Sequence, residues 1–474
     1  MLEKDDYNAQ KVPYEPVAHQ LSNRLLLEQE KLIEDDARRL FPKEVRLDKR
    51  ERIVHPYQFI VANTGPDIDK LTAGKVIYLK LLSEGGDRIK VTVLKSRKMA
   101  PNGKRYVLLE ADEPIAGHSG KDWGIYASNT SPQAIGTIHD VPARGGGDSN
   151  SGGGKDHSGN TNFYGVNLLV ALRPGQTPAP ASEINQAGRV AAFETDAELG
   201  TATIAVLDSG IRFTQTTSRP ARPSDVGWDF VSNTTSDGDP FPGDDHLGLH
   251  GTKICTIIKH AAPGVGILPV KVSNQNGSLN LYDALCGLEY ARTHGAKVVN
   301  ASWSFAATGD NDPATDYPLL LQAIRDLEES GVVVVAAAGN KSQYSVPSGE
   351  LAKDGAPKIY PACYSGIQCN VLTVTTVIRA ADGKFEAFEN YSPRFVDTGA
   401  LANAGQLGQF SIPGFRGSYE GSSFAAPYVA AKLARLLGSA GLLSKRALLH
   451  RLNQFHRTSN LAYAIRDGGS YVVV

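Results

Sequence analysis

The stretch Gly421-Ser422-Ser423-Phe424-Ala425-Ala426-Pro427 runs directly into Tyr428-Val429-Ala430-Ala431. A glycine followed by small and apolar residues predicts the start of a buried helix, with Ser423 in its first turn. A helix start carries unpaired N–H groups and about half a positive charge, which favours an anion forming beside it. Pro427 is compatible with that place, because N–H groups near a helix start lack partners anyway. A serine there is ordinarily an N-cap. The stretch therefore needs company before it implies chemistry.

Two upstream stretches supply it. Thr203-Ile204-Ala205-Val206-Leu207-Asp208-Ser209-Gly210 is an apolar strand ending in a carboxylate and a glycine turn. Leu249-His250-Gly251-Thr252-Lys253-Ile254-Cys255 places a histidine at the opening of a helix. Singly, each reads as a turn or a surface histidine, and the chain has eleven histidines. Together they run aspartate, histidine, serine along the chain, the order found in subtilisin-type triads and not in other serine hydrolase triads. A fourth stretch, Gly331-Val332-Val333-Val334-Val335-Ala336-Ala337-Ala338-Gly339-Asn340, has the continuous apolar composition of a buried parallel strand.

On these motifs the chain resembles the subtilases over roughly residues 190–457. The resemblance implies a serine endopeptidase. Ser423 would be the nucleophile, His250 the general base and Asp208 the residue orienting it, with Asn340 donating to the oxyanion. It also implies that Asn300-Ala301-Ser302-Trp303-Ser304 offers its backbone to substrate as an added strand, with Ala336–Gly339 as a pocket wall. Ser302, Trp303, Ser304, Ala337 and Gly339 are thus the substrate-binding candidates. Ser304 stands where the family prefers glycine and Trp303 is bulkier than the usual leucine, so broad specificity is in doubt; Trp303 reads equally well as an ordinary half-buried aromatic. Phe424 replaces the methionine that usually follows the nucleophile, and Ser422 replaces threonine while keeping the hydroxyl. The alternative is a latent subtilase fold used for binding or scaffolding.

Composition bounds the rest. The chain has 474 residues and a formal net charge of −1, which recommends neither a nucleic-acid nor a membrane partner. No window approaches the ~18 consecutive apolar residues of a membrane span. The start, Met1-Leu2-Glu3-Lys4-Asp5-Asp6, lacks the apolar core of a secretory signal. With only four cysteines, of which Cys363 and Cys369 would close a small loop only in an oxidising compartment, reduced thiols and a cytoplasmic location are expected. Acidic residues Asp225, Asp229, Asp237, Asp239, Asp244 and Asp245 lie between Asp208 and His250. They read mainly as a solvated loop; no metal or other cofactor is expected.

Three regions follow. Residues 1–116 read as a small α+β module. A helix is expected over 18–40, then strands at 58–61, 76–79, 89–93 and 106–109. An inhibitory propeptide, a docking or regulatory module that meets a protein partner, and a purely stabilising cap all remain open, with docking or regulation favoured. Residues 117–189 read as a Gly/Ser- and Pro-rich linker with one strand at 164–172, assignable to either neighbour. Residues 190–474 should be an α/β unit, a doubly wound, mostly parallel sheet with helices on both faces. Its helices are expected at 281–294, 317–330 and 444–454, and a last strand at 470–474.

Overall fold

In the computed structural model, placement is described for residues 46–47, 53–63, 71–82, 86–100, 103–112, 122–140, 163–171, 203–212, 227–232, 242–307, 316–341, 349–353, 356–404, 408–440, 444–452 and 456–474. The expected helix at 18–40, the glycine-rich tether, and Asp225, Asp237 and Asp239 lie outside them.

The N-terminal unit contains β1 (Arg46–Leu47), β2 (Ile53–Asn63), β3 (Val76–Leu81), β4 (Ile89–Lys98), β5 (Arg105–Ala111), β6 (Trp123–Tyr126), β7 (Gly136–Asp140) and β8 (Phe163–Ala171). Hydrogen bonding runs β2-β5-β4-β3-β6-β7-β8 and returns from β8 to β2. The strands therefore close into a barrel, which removes free sheet edges. Strands of alternating pattern bury opposite faces. Phe59 and Val61 of β2, with Val107, Leu109 and Ala111 of β5, fill the interior beside Ile77, Leu79, Val91, Val93, Trp123 and Ile125. The unit does not stop at residue 116 as the sequence implied. β6 pairs with β3, and both β7 and β8 belong to the barrel. β8 is the strand expected at 164–172, whereas β6 and β7 escape the sequence because they are only four and five residues long, too short to show a period.

The C-terminal body contains β9 (Thr203–Asp208), β10 (Trp228–Asp229), α1 (His250–Ala261), β11 (Gly266–Lys271), β12 (Ser278–Asn280), α2 (Leu281–Thr293), β13 (Val298–Ala301), β14 (Phe305–Ala307), α3 (Pro318–Glu329), β15 (Val333–Ala337), β16 (Lys358–Tyr360), β17 (Val371–Arg379), β18 (Phe385–Ala387), β19 (Thr398–Leu401), β20 (Gln409–Phe410), β21 (Tyr419–Glu420), α4 (Ser422–Ala440), α5 (Lys445–Leu452) and β22 (Tyr471–Val473). Its main sheet has the order β10-β11-β9-β13-β15-β17-β19-β22, parallel throughout except for β18 on its margin. The chain crosses from one side of β9 to the other between β11 and β13. That reversal leaves a crevice at the carboxyl end of β9, where doubly wound sheets hold their ligands.

Both faces of this sheet are covered, which explains the unbroken Val/Ala runs. Ala205, Leu207, Val299, Val334 and Ala336 face α2 and α3 in one core layer. Ile204, Val206, Val298, Val333 and Val335 face α1 and α4 in the other.

The barrel and the body share the first layer. Ile60, Ala62, Tyr106 and Leu108, the outward faces of β2 and β5, pack among Tyr282, Leu285 and Leu288 of α2. Polar contacts frame the seam. Lys104 N–H donates to Glu289 Oε1 at 2.7 Å, Lys104 Nζ pairs with Asp326, and Lys95 Nζ lies 3.4 Å from the buried Asp283. The strand the sequence could not assign belongs to both sides, since β8 also pairs with β12 at Ala171↔Ser278 and Asn280↔Leu169. A continuous core predicts cooperative unfolding. Wild-type protein should melt in one calorimetric transition. Leu108→Asp, which puts a charge into the seam, should split it into two or lower its midpoint by several degrees.

Candidate active site

Asp208 is the last residue of β9, and its side chain is buried with His250 and Ser209. His250 is the first residue of α1. His250 Nδ1 lies 2.8 Å from Asp208 Oδ1 and 3.0 Å from Oδ2. A carboxylate can only accept, so Nδ1 carries the proton and Nε2 is left as the acceptor. This is the tautomer a general base needs.

The two elements approach so closely because of a glycine. A Cβ on Gly251 would stand 2.2 Å from Gly210 O and 3.2 Å from Asp208 Oδ1. Immediately before His250, Leu249 adopts a left-handed conformation (φ 48°, ψ 46°). Such a conformation costs a side-chain-bearing residue about 1–3 kcal/mol and persists where surrounding contacts hold it. Here Leu249 N–H donates to His246 O at 2.9 Å, and Leu249 O accepts from Lys253 N–H at 3.0 Å.

Ser423 occupies the second position of α4, half-buried. The His250 ring stands 5.4 Å from the ring of the adjoining Phe424. Pro427 shapes the serine's surroundings in a way its sequence position only hints at. Lacking an N–H, it cannot bond the carbonyl four residues back, which is that of Ser423. Ser302 Oγ donates to that orphaned oxygen at 2.8 Å and accepts from Asn300 Nδ2 at 2.9 Å. The Ser302 hydroxyl thus supports the backbone of Ser423.

Asn340 follows β15 at the same edge of the sheet. Its Oδ1 accepts from Ser422 N–H at 2.9 Å and from Ser422 Oγ at 3.1 Å. Since a backbone N–H can only donate, these bonds fix the amide with its NH₂ end turned away. Gly421 keeps the space above it open. Its φ is +128°, and a Cβ there would lie 3.1 Å from Asn340 Nδ2 and 3.4 Å from Ser423 Oγ. Nδ2 and Ser423 Oγ therefore border one small gap.

The other substrate-binding candidates present no side chain to that gap. Trp303 is 2% exposed and packs edge-on to Phe305 at 5.7 Å, so it is a core residue. Ala337 packs against the α1 and α4 layer, Ser304 is buried, and Gly339 sits over Asn390 and Ile359. What Ser302–Ser304 has to offer is backbone.

Nothing in the local pattern announces the polar network behind Asp208. Asp244, seen only as one acid of a loop, is fully buried and bonded to Ser209 and Thr252. Burial raises its pKa to about 6, against the lowering effect of the Thr252 hydrogen bonds. Asp245 pairs with Lys271 and Asp229 caps the turn at Val231 and Ser232. His246 is also buried, and desolvation first, then the neighbouring His250, pushes its pKa down to about 3. Its Nδ1 accepts from Gly248 N–H at 3.0 Å, as only a neutral ring can.

The four cysteines are unbridged, with Cys255, Cys286 and Cys363 buried and Cys369 exposed. Among the described residues, no helix is long and apolar enough to cross a membrane.

Comparison with known proteins adds the following. The family model described as "Subtilase family" matches residues 200–456. Thermitase of Thermoactinomyces vulgaris is 31% identical over 284 residues, covering 57% of this chain and 82% of that protein. The thermophilic serine proteinase of Bacillus sp. (strain AK1) is 33% identical over 251 residues, covering 50% and 52%. Subtilisin-like protease 3 of Plasmodium falciparum (isolate 3D7) is 28% identical over 166 residues, covering 32% and 20%. The chain thus spans from a fifth to about four-fifths of the length of these relatives.

Two outcomes follow from this geometry. Ser302→Ala leaves the Ser423 carbonyl buried without its partner and should cost about 1–3 kcal/mol in urea unfolding. For His246, the folded pKa lies below the unfolded value of 6.5, so its contribution is complete above pH 6.5. It is lost as pH falls toward about 3. Asp244 works in the opposite sense over a narrower span, being raised from 3.8 to about 6. Between pH 7 and 4, the melting temperature of His246→Gln should therefore fall less steeply than that of wild type.

Proposed function

This chain belongs to the subtilase family, and from that premise we propose that it is a serine endopeptidase working through Asp208, His250, Ser423 and Asn340. The observation that carries the proposal is the grip of both Asp208 oxygens on His250 Nδ1, beside the helix that presents Ser423. In this reading Ser423 Oγ attacks the substrate carbonyl as His250 Nε2 takes its proton. The oxyanion collects on Asn340 Nδ2 and the Ser423 N–H, aided by the positive end of α4. His250 then protonates the departing amine, and water attacks the acyl-enzyme by the same relay run again. Asp208 stays ionised and stabilises the imidazolium.

The substrate is a protein or peptide, held along Ser302–Ser304 as an added strand beside the wall that ends in Gly339. Such pairing reads main chain, so sequence preference falls to the pockets.

The N-terminal barrel is part of this proposal as a retained module that acts on the site, and its outer seam with α2 and α3 is where a regulatory partner would compete. Support comes from a short route of backbone bonds. β8 pairs with β12, whose hairpin offers Gln275 O to Leu247 N–H at 3.2 Å, three residues before His250. The same hairpin gives the Val272 N–H to Asp208 O at 2.8 Å. A cytoplasmic setting belongs to the same reading, in keeping with an unpaired, exposed Cys369.

A fluorophosphonate probe should label wild-type protein and not Ser423→Ala. Asn340→Ala should lower kcat on a peptide substrate about 10²–10³-fold, the general cost of one oxyanion donor. Labelling that survives in Ser423→Ala would remove the nucleophile assignment. Intact mass after incubation should show the barrel still attached; cleavage between residues 172 and 202 with full activity of the C-terminal fragment would refute its retained role.

A further inference from the structure

Asp244 is a second buried carboxylate at the edge of the proposed relay, and the relay as described gives it no part. Its Oδ1 accepts from Ser209 Oγ at 2.9 Å and from His246 N–H at 3.1 Å. Its Oδ2 accepts from Thr252 N–H at 2.9 Å and from Thr252 Oγ1 at 2.6 Å. Ser209 follows Asp208, and Thr252 stands two residues after His250, so one carboxylate ties together the neighbours of both. Two further bonds complete the clamp. Gly251 N–H donates to Ser209 Oγ at 2.9 Å, and Arg212 N–H donates to Thr252 Oγ1 at 3.0 Å. The left-handed Leu249 lies inside the loop that this clamp closes, between His246 and Thr252.

We propose that Asp244 is a positioning residue for the reaction: it locks the turn after β9 to the first turn of α1, and so holds the His250 ring in register with Asp208. The proposal rests on the peptidase reading only in taking the aligned ring to be the base for Ser423.

The chemistry explains why the position calls for an acid. Four donors converge on two oxygens, two on each, and two of the four are backbone N–H groups that cannot reverse. An amide of the same shape has a single acceptor oxygen. Whichever way Asn were turned, its NH₂ would face either the His246 N–H or the Thr252 N–H, and a fixed donor would lose its partner. Asp244→Asn is therefore a nearly isosteric change that opens the clamp without making a cavity.

The test uses the full chain as wild type, Asp244→Asn and Thr252→Val, each checked by circular dichroism and thermal melting. The readouts are kinact and KI for a fluorophosphonate probe, together with the low-field proton resonance of the His250 Nδ1–H. In folded Asp244→Asn, kinact should fall at least tenfold with KI within twofold of wild type, and the resonance should broaden or move upfield. Thr252→Val, which removes the hydroxyl from Asp244 Oδ2 and from Arg212 N–H but keeps the Thr252 backbone donor, should move both readouts in the same direction and less far. A folded Asp244→Asn that labels within twofold of wild type and keeps its resonance, even with a lowered melting temperature, would make the acid a structural group only and overturn the proposal. Should Asp244→Asn fail to fold, Thr252→Val decides by the same criteria. Failure of the peptidase reading would show separately, as a wild type that does not label. The resonance alone then judges the clamp: lost in Asp244→Asn it supports the proposal, retained it overturns it.

Discussion

A carboxylate buried at the end of a strand is costly, and the architecture around Asp208 answers that cost. Moving such a charge out of water carries an effective penalty of several kcal/mol unless hydrogen bonds replace the lost solvent. Asp208 receives them from His250 Nδ1 and from its own neighbour, Ser209 N–H, at 2.8 Å. The strand must end where α1 begins, which is why Gly210 and Gly251 meet with no room for a Cβ between them. A wider approach would leave the acid unpaired. A closer one is barred by the chain itself.

On the serine side, the same economy of space is met by small residues and a missing N–H. α4 lies against the sheet through Ala425, Ala426, Ala430 and Ala434. Its proline frees the Ser423 carbonyl for Ser302, linking Ser423 to the loop after β13. Ser422 in turn fixes the Asn340 amide. Asn340 is thus oriented by the neighbour of Ser423, Ser423 by Ser302 and His250 by Asp208, so the site is stiff by mutual constraint, as preorganised electrostatics requires.

The barrel extends that stiffness outward. Its strands β2 and β5 are apolar on both faces, one face filling the barrel and the other filling the gap above α2. Glu289 and Asp283 lie buried beneath it, matched to the Lys104 backbone and the Lys95 ammonium. Burial raises the pKa of Asp283 even with Lys95 beside it. Stripped of its cover, this surface would expose an apolar patch and two acids, Glu289 left to Arg292 and Asp283 to Asn280. That is the physical reason to regard the barrel as belonging to the working molecule.

Local pattern marked several strands and helices of the C-terminal body, and the resemblance to the subtilases singled out the four proposed catalytic residues. Each of Asp208, His250, Asn340 and Ser423 sits where a strand ends or a helix starts, and apolar runs with glycine at their ends announce those junctions by themselves. Pattern likewise marked strands at 58–61, 76–79, 89–93 and 106–109, which lie within the observed 53–63, 76–81, 89–98 and 105–111. Three features escaped because they are long-range. Asp244 looks like any loop acid until Thr252 and Ser209 converge on it. The Ser302 hydroxyl and the Trp303 ring follow one another in the chain and yet face a helix carbonyl and the core. β8, finally, joins the barrel to the body through hydrogen bonds between residues more than a hundred positions apart. Side-chain period says which face of a segment is apolar; only the folded chain decides what that face, or that donor, meets.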